Sequence, residues 1–324
     1  MKKKIFITGI NGFIGSHLAN KLASLGHMVE GCDINDDSTI INKDIKIHKI
    51  NLIIMYSEDI DIFKNFDLIY HLASPIGVSN IIANSGDTFR VSSKINSNLD
   101  YIGRKFNTPI IYASSSEVFG EQSINDETPF SIKKPSDSPR WSYAAAKVHG
   151  EFLFHSGQYP SAVVRFFNVV GPGQNTPGMV VPTFINAALK NRDVVITNNG
   201  IRNYCDIRDA IDQIIPIGIN LINNINNKQC FNIGSQNDDN TIDVITLLKL
   251  INDVFETDIE YALMHEDNGI IKNRILEFEG TDADIGMYSV QEILENIRDH
   301  IRPLEVLESE EAYNESLDHI IGEQ

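Results

Sequence analysis

Tyr143 and Lys147 stand four residues apart in Arg140-Trp-Ser-Tyr-Ala-Ala-Ala-Lys-Val-His-Gly-Glu151. On a helix this spacing puts both side chains on one face, where the ammonium lies near the phenol and lowers its pKa. A phenolate near neutral pH can take the proton of an alcohol or sugar hydroxyl while a hydride leaves the same carbon. The spacing alone is weak, since Tyr101-Ile-Gly-Arg-Lys105 repeats it and reads as an ordinary helical pair. Context separates the two. Upstream of Tyr143 runs Pro109-Ile-Ile-Tyr-Ala-Ser-Ser-Ser-Glu-Val-Phe-Gly120, an apolar strand ending in hydroxyls. Ser115 at that end is placed to donate to a substrate oxygen and to orient Tyr143. The competing use of Ser114 to Ser116 is to cap a turn; with both motifs in register the chemical use is preferred.

A departing hydride needs an acceptor, and the N-terminal stretch Ile5-Phe-Ile-Thr-Gly-Ile-Asn-Gly-Phe-Ile-Gly15 supplies a place for one. An apolar strand passes directly into a glycine-rich helix start. Glycine lets backbone approach a pyrophosphate, and the helix end offers unpaired N–H donors. The pattern is G-x-x-G-x-x-G in place of G-x-G-x-x-G, which alters the turn but not the logic. Asp33 closes the next apolar segment, Met28-Val-Glu-Gly-Cys-Asp33. It is placed to accept hydrogen bonds from the adenosine ribose and to repel a 2′-phosphate, so NAD is favoured over NADP. Gly9, Asn11, Gly12, Phe13, Ile14, Gly15 and Asp33 are the cofactor-binding candidates. The helix after the loop is amphipathic through Ile14, Leu18, Leu22 and Leu25.

These motifs need a parallel sheet to carry them. Strands are expected at 4–8, 28–32, 45–50, 67–72, 109–114 and 161–167, and helices at 87–106 and 141–157. Alternating strands and helices imply an α/β fold, a Rossmann-type doubly wound parallel sheet covered on both faces. Ligands of such sheets collect at the carboxyl edge, where Ser115 falls. After Gly171-Pro-Gly173 the pattern changes: helix 180–191, strand 194–196, a turn at Asn198-Asn-Gly200, helix 209–222, strand 230–234 and helix 241–255. The expected organisation is a NAD-binding domain over 1–170, to which the chain returns at about 201–235, and a smaller α/β substrate-binding lobe over 171–300. An acidic segment, 301–324, closes the chain; residues 305–324 hold seven acids and no Lys or Arg. It is read as a loosely attached helix or tail without a catalytic role.

Bulk composition narrows the partners. The 324 residues carry 44 acids against 27 Lys and Arg, a formal net charge of −17. No basic patch is available to neutralise phosphates, which argues against a nucleic-acid partner. An anionic substrate must therefore be met by a few specific Arg or Lys residues. No apolar run reaches membrane-spanning length, so no membrane association is expected. Cys32, Cys205 and Cys230 are scattered and form no C-x-x-C pair, which argues for a reducing cytoplasm, no metal site and no disulfide framework.

Taken in order, the motifs resemble those of the extended short-chain dehydrogenase/reductases, in the NAD-dependent nucleotide-sugar epimerase/dehydratase group. The matching pieces are TGINGFIG (8–15), Asp33, YHLAS (70–74), ASSSEVFG (113–120), YAAAK (143–147), RFFNVVGPG (165–173), VVPTF (180–184), RNYCDIRDA (202–210) and FNIGS (231–235). The resemblance implies Ser115, Tyr143 and Lys147 as the catalytic triad, with Lys147 also holding the nicotinamide ribose. It implies cofactor contacts at Leu72, Ala73 and Ser74, and at Asn51 and Leu52, where an Asp usually meets adenine. Ser116, Asn168, Val181 and Arg202 fall at substrate-binding positions, Asn168 and Arg202 against the nucleotide diphosphate. A guanidinium suits that two-point phosphate task. Arg274 is either the basic residue that members supply near there or a plain surface Arg. A homodimer through helices 87–106 and 141–157 is implied as well. Asn198-Asn199-Gly200 departs from the family's more glycine-rich turn, and its closing pattern is not found after residue 256.

Members of this group oxidise the sugar C4 hydroxyl and differ in what the 4-keto intermediate does next. Family 4,6-dehydratases carry Asp-Glu after the hydroxyl residue; here Ser116 takes the Asp position, which disfavours dehydration. Ser115-Ser116-Glu117, with Pro139-Arg-Trp141 and Cys205-Asp-Ile-Arg-Asp209, resembles UDP-glucuronate decarboxylases. The same serine run occurs in 4-epimerases, and His71-Leu-Ala-Ser-Pro-Ile-Gly-Val78 fits them better. A UDP-sugar 4-epimerase is expected ahead of a decarboxylase, with a dehydratase or a non-catalytic dinucleotide sensor behind. Glu117 is either catalytic or a tether for a neighbouring loop.

Overall fold

The structure, a computed structural model, describes residues 1–34, 41–75, 84–120, 128–134, 138–174, 178–225, 227–264, 275–276 and 287–301. Arg274 and the acidic segment after 301 lie outside them. The centre is a seven-stranded sheet built from β1 (Lys4–Thr8), β2 (Met28–Asp33), β3 (Lys46–Lys49), β4 (Leu68–His71), β5 (Ile110–Ser115), β6 (Ser161–Phe166) and β10 (Cys230–Ile233). Its order is β3-β2-β1-β4-β5-β6-β10, and every pairing is parallel. This is the doubly wound Rossmann arrangement, with the order reversing between β1 and β4. β4 and β6 are buried along their whole lengths, as strands covered on both faces must be.

Two apolar layers cover the sheet. On one side α1 (Phe13–Ser24) and α6 (Ile207–Ile222) bring Leu18, Leu22, Ile211 and Ile214 against Ile5, Ile7 and Val164. On the other, α3 (Ser85–Phe106) and α4 (Trp141–Ser156) bring Ile95, Leu99, Ile102 and Phe154 against Phe6, Ile69 and Tyr112. Between β3 and β4 sits the short α2 (Ser57–Ile62). Leu25, expected on the apolar face of α1, is the residue that caps it and is 54% exposed. At the helix end the backbone turns away from the core direction, so the periodicity no longer applies.

The remaining elements form the smaller lobe. β7 (Asn168–Val170), β9 (Ile201–Asp206) and β11 (Thr241–Asp243) make one sheet, and β8 (Val194–Ile196) pairs with β12 (Tyr261–Leu263) in another. Helices α5 (Val180–Leu189), α7 (Val244–Phe255) and α8 (Val290–His300) pack with them around Val181, Phe184, Tyr204, Leu247, Ile251 and Ile293. The chain enters this lobe at β7, and α6 and β10 run back to the main sheet. Both lobes therefore meet beside the carboxyl ends of β5 and β6.

Candidate active site

The glycine loop is shaped by close backbone contact. Gly9 has φ +69°, and a Cβ there would lie 2.9 Å from Ala73 N and Cα, so β4's exit crosses directly over it. A Cβ on Gly15 would lie 2.2 Å from the Gly9 carbonyl oxygen. Only hydrogens at both positions let the loop fold down onto the start of α1. Gly12 caps that helix without a side-chain hydrogen bond, and its first turn holds no acid. The first N–H groups of α1 thus face outward with the positive end of the helix dipole behind them. Asp33 Oδ2 accepts from Asn11 N–H at 3.1 Å, which draws the carboxylate over the loop. This cradle fits a dinucleotide: pyrophosphate at the α1 N-terminus, ribose at Asp33.

Leu72, Ala73 and Ser74 follow β4, and a buried polar chain fixes them. Ala73 N–H donates to Thr8 Oγ1 at 3.3 Å, and Thr8 Oγ1 lies 2.8 Å from His71 Nδ1. His71 Nε2 is 3.1 Å from Asn96 Oδ1, whose Nδ2 donates to Tyr112 OH at 3.4 Å. Because Asn96 Oδ1 only accepts, His71 Nε2 must carry the proton and Nδ1 accepts from Thr8. Burial holds the His71 pKa down at about 3, against the Asn96 hydrogen bond and aided by the Lys147 charge. The ring stays neutral and the chain keeps one direction. Asn51 Oδ1 accepts from Ile53 N–H, while Leu52 buries its side chain and offers its carbonyl to Asn98 Nδ2.

Tyr143 and Lys147 lie on one face of α4, as the spacing required. Lys147 Nζ is 5.5 Å from the Tyr143 ring centre and 5.5 Å from that of Tyr112. The ammonium donates to Ala113 O at 2.9 Å, two residues before Ser115, which ties the helix to the strand end. Burial lowers the Lys147 pKa to about 8, opposed by the Glu151 carboxylate. Tyr143 is half-buried, whereas Tyr101 of the repeated spacing is exposed on α3. Ser115 ends β5 and accepts from Glu117 N–H at 3.2 Å, opening a 3-10 turn over Ser116–Phe119.

Two ion pairs brace this strand end, and their partners come from separate elements. Glu151 accepts from Ser114 Oγ at 2.5 Å and from Arg165 Nε and Nη2 at 3.0 and 2.7 Å. Arg165, on β6, also stacks on the rings of Phe119 and Phe130. Glu117 accepts from Arg140 Nη2 at 2.7 Å. The signal for Glu151 was its position four residues after Lys147, which sets it on the same helical face.

Of the residues expected to meet substrate, Asn168 begins β7 and Arg202 lies in β9, two strands paired in parallel in the three-stranded sheet. Asn168 Nδ2 donates to Asn203 O at 3.0 Å. Asn203 is buried and continues inward: its Nδ2 donates to Ser235 O and its Oδ1 accepts from Ser235 N–H, both at 2.9 Å. Arg202 Nη1 donates to Ile201 O at 2.9 Å. Val181 packs its side chain into the smaller lobe's core, so its backbone is what it can offer a ligand. Ser116 is buried at 2% exposure.

A doubly wound sheet with this loop, Asp33 and a Tyr143–Lys147 pair at its carboxyl edge defines a dinucleotide-binding enzyme class. The family model described as the NAD dependent epimerase/dehydratase family matches residues 5–234, and the chain belongs to that family. UDP-N-acetyl-alpha-D-glucosaminuronate decarboxylase of Bacillus cytotoxicus is 30% identical over 255 residues, 74% of this chain and 77% of that protein. Protein CapI of Staphylococcus aureus is 34% identical over 232 residues, 65% of this chain and 68% of that one. UDP-glucose 4-epimerase of Thermus thermophilus, solved with NAD, superposes with TM-score 0.73 at 19% identity, over 92% of this chain and 98% of that chain. The NDP-hexosamine 5,6-dehydratase TunA gives TM-score 0.77 at 22% identity, over 95% and 100%. At those identities the structural likeness speaks for the fold. NAD is the family's cofactor, and the cradle described above fits it. No helix among the described residues is long and apolar enough to cross a membrane.

Proposed function

We propose that this chain is a nucleotide-sugar 4-epimerase working through a 4-keto sugar. The observation that carries the redox half is Lys147, whose ammonium faces the Tyr143 ring and reaches β5 through Ala113 O. In this reading Tyr143, made acidic by that ammonium, takes the C4 hydroxyl proton and Ser115 donates to the same oxygen. NAD bound on the glycine loop supplies the hydride acceptor and, in the return step, the donor. Lys147 would also hold its nicotinamide ribose, while Asn168 and Arg202 meet the diphosphate. Returning hydride to the opposite face of C4 needs no further acid. That requirement agrees with Ser116 and with a Glu117 carboxylate engaged by Arg140.

A second reading, decarboxylation of a UDP-uronate, is supported by the 30% identical relative that bears such a name. A C6 carboxylate β to the C4 ketone leaves as CO₂ once the ketone forms, so both readings share the first step. Mass spectrometry of products from a panel of UDP-, dTDP-, GDP- and CDP-sugars, uronates included, separates them. Because C4 epimers have equal mass, inversion is read by NMR of the product of unchanged mass and supports the epimerase; loss of CO₂ in the mass spectrum replaces it with the decarboxylase. Tyr143→Phe should cut turnover by roughly 10²–10⁴-fold while NAD still binds; wild-type turnover in that variant removes the mechanism. We also infer a homodimer through α3 and α4, which expose Phe89, Tyr101 and Phe152; a monomer in light scattering at working concentration would refute it.

A further inference from the structure

Helix α4 begins against the electrostatics of its own backbone. A helix N-terminus carries partial positive charge and is stabilised by acids in the first turn. α4 has none there, and its N-cap is a cation, Arg140, with helical backbone angles of φ −55° and ψ −32°. The carboxylate comes from another element. Glu117, in the 3-10 turn after β5, pairs with Arg140 at 2.7 Å, and the Arg140 and Glu117 side chains are only 16% and 14% exposed. A sheltered, charge-assisted pair of this kind is held more firmly than an open surface one. Its placement matters more than its strength. Glu117 stands two residues after Ser115, and its own N–H is held by Ser115 Oγ. Arg140 stands three residues before Tyr143, beside Trp141, which is buried with Ala144.

We propose that the Glu117–Arg140 pair is a clamp that sets Ser115 against Tyr143, so that both charged residues position the site without moving protons. The proposal rests on the roles given above to Ser115 and Tyr143. A proton-transferring Glu117 and a clamping Glu117 predict different patterns across a double-mutant cycle. The experiment uses the NAD-loaded enzyme and the variants Glu117→Ala, Arg140→Ala, their combination, Glu117→Gln and Arg140→Lys. Turnover on the sugar that the wild-type chain accepts is read beside amide hydrogen exchange over residues 115–119 and 141–145.

For a clamp, each alanine variant loses about 10–100-fold in kcat with little change in KM. The combination is no worse than either single change. Exchange accelerates in both segments in each alanine variant, while Gln and Lys retain part of kcat. Multiplying losses overturn the clamp. So does a Glu117→Gln variant that is dead while Arg140→Ala turns over, since Glu117 would then act on the substrate itself. If the wild-type chain converts no sugar in the panel, the proposed function fails. Exchange then decides the clamp alone, and unchanged rates in both segments overturn it. If the alanine variants do not fold, Glu117→Gln and Arg140→Lys carry the same comparison.

Discussion

Replacing Lys147 by Met exposes a stability cost that the site carries for its chemistry. Lys147 is 5% exposed and burial lowers its pKa from 10.5 to about 8, with Glu151 opposing. Between those values the unfolded chain binds the proton that the folded chain has released, so wild-type stability climbs with pH through that window. Below about pH 8 the folded protein holds a desolvated ammonium at a cost of roughly 3 kcal/mol, taking 1.36 kcal/mol per unit. Lys147→Met removes that ionisation. The Lys147 charge also helps to lower the His71 pKa, but at about 3 that group titrates below the window, and a Tyr143→Phe background in both proteins keeps the coupled phenol out of the difference. The stability difference between the two proteins should therefore move by roughly 1 kcal/mol in favour of the Lys147 form from pH 7 to 9, and by about 2.5 by pH 10. Urea unfolding of both proteins across that range gives the difference curve directly. Its slope isolates the ammonium from the lost bond to Ala113 O, which shifts the curve bodily without tilting it. Parallel curves would refute a desolvated Lys147. Turnover should fall on the alkaline side near pH 8, far below an ordinary lysine, the limb belonging to the Tyr143–Lys147 pair as a unit.

Gly15→Ala puts a Cβ 2.2 Å from the Gly9 carbonyl and 3.0 Å from Ile10 Cα, so the loop must open. The expected cost is about 1–3 kcal/mol by denaturant unfolding, with NAD affinity lost in a fluorescence titration; unaltered NAD binding would contradict the cradle. Glu151→Leu takes the two-point carboxylate from Arg165, leaving a buried cation short of its counter-charge, and should cost roughly 3–5 kcal/mol. Because Glu151 raises the Lys147 pKa, the milder Glu151→Gln should also move the alkaline limb of turnover to lower pH, measured as kcat against pH.

How far the sequence speaks depends on whether an interaction is local. The strand β1, the loop and α1 form one contiguous device, and the need for hydrogen at Gly9 and Gly15 leaves a mark at each position. The strands of the main sheet are similarly plain, because burial on both faces demands unbroken apolar runs such as Ile110-Ile111-Tyr112-Ala113. β7, β11 and β12 are three residues each, too short to show alternation, whereas the equally short β8 is expected at 194–196 and found there. β9, Ile201–Asp206, mixes charged and polar residues with Tyr204 and Cys205, which are buried in different clusters, Tyr204 in the smaller lobe's core and Cys205 in that of the main sheet. Helix α8 has a capping box at Ser289 and Glu292 that marks its start. It went unread because its docking partners, Asn240 and Asp209, are 50 and 79 residues away from the backbone groups they hold.

The site divides along the same line. Tyr143 and Lys147 are four apart on one helix, and helical geometry alone brings them together. The groups that set their surroundings come from distant strands: Ala113 for Lys147, Ser114 and Arg165 for Glu151, Glu117 for Arg140. Arg140 left one trace, a cation at a helix start whose first turn has no acid, a local conflict that calls for a partner elsewhere. Such conflicts are where a sequence points beyond itself. A residue that is wrong for its own element, like Arg140 at the N-cap or Lys147 inside a packed layer, is held in place by a tertiary contact. In this enzyme those contacts converge on the last turn of β5, where the substrate oxygen is proposed to sit.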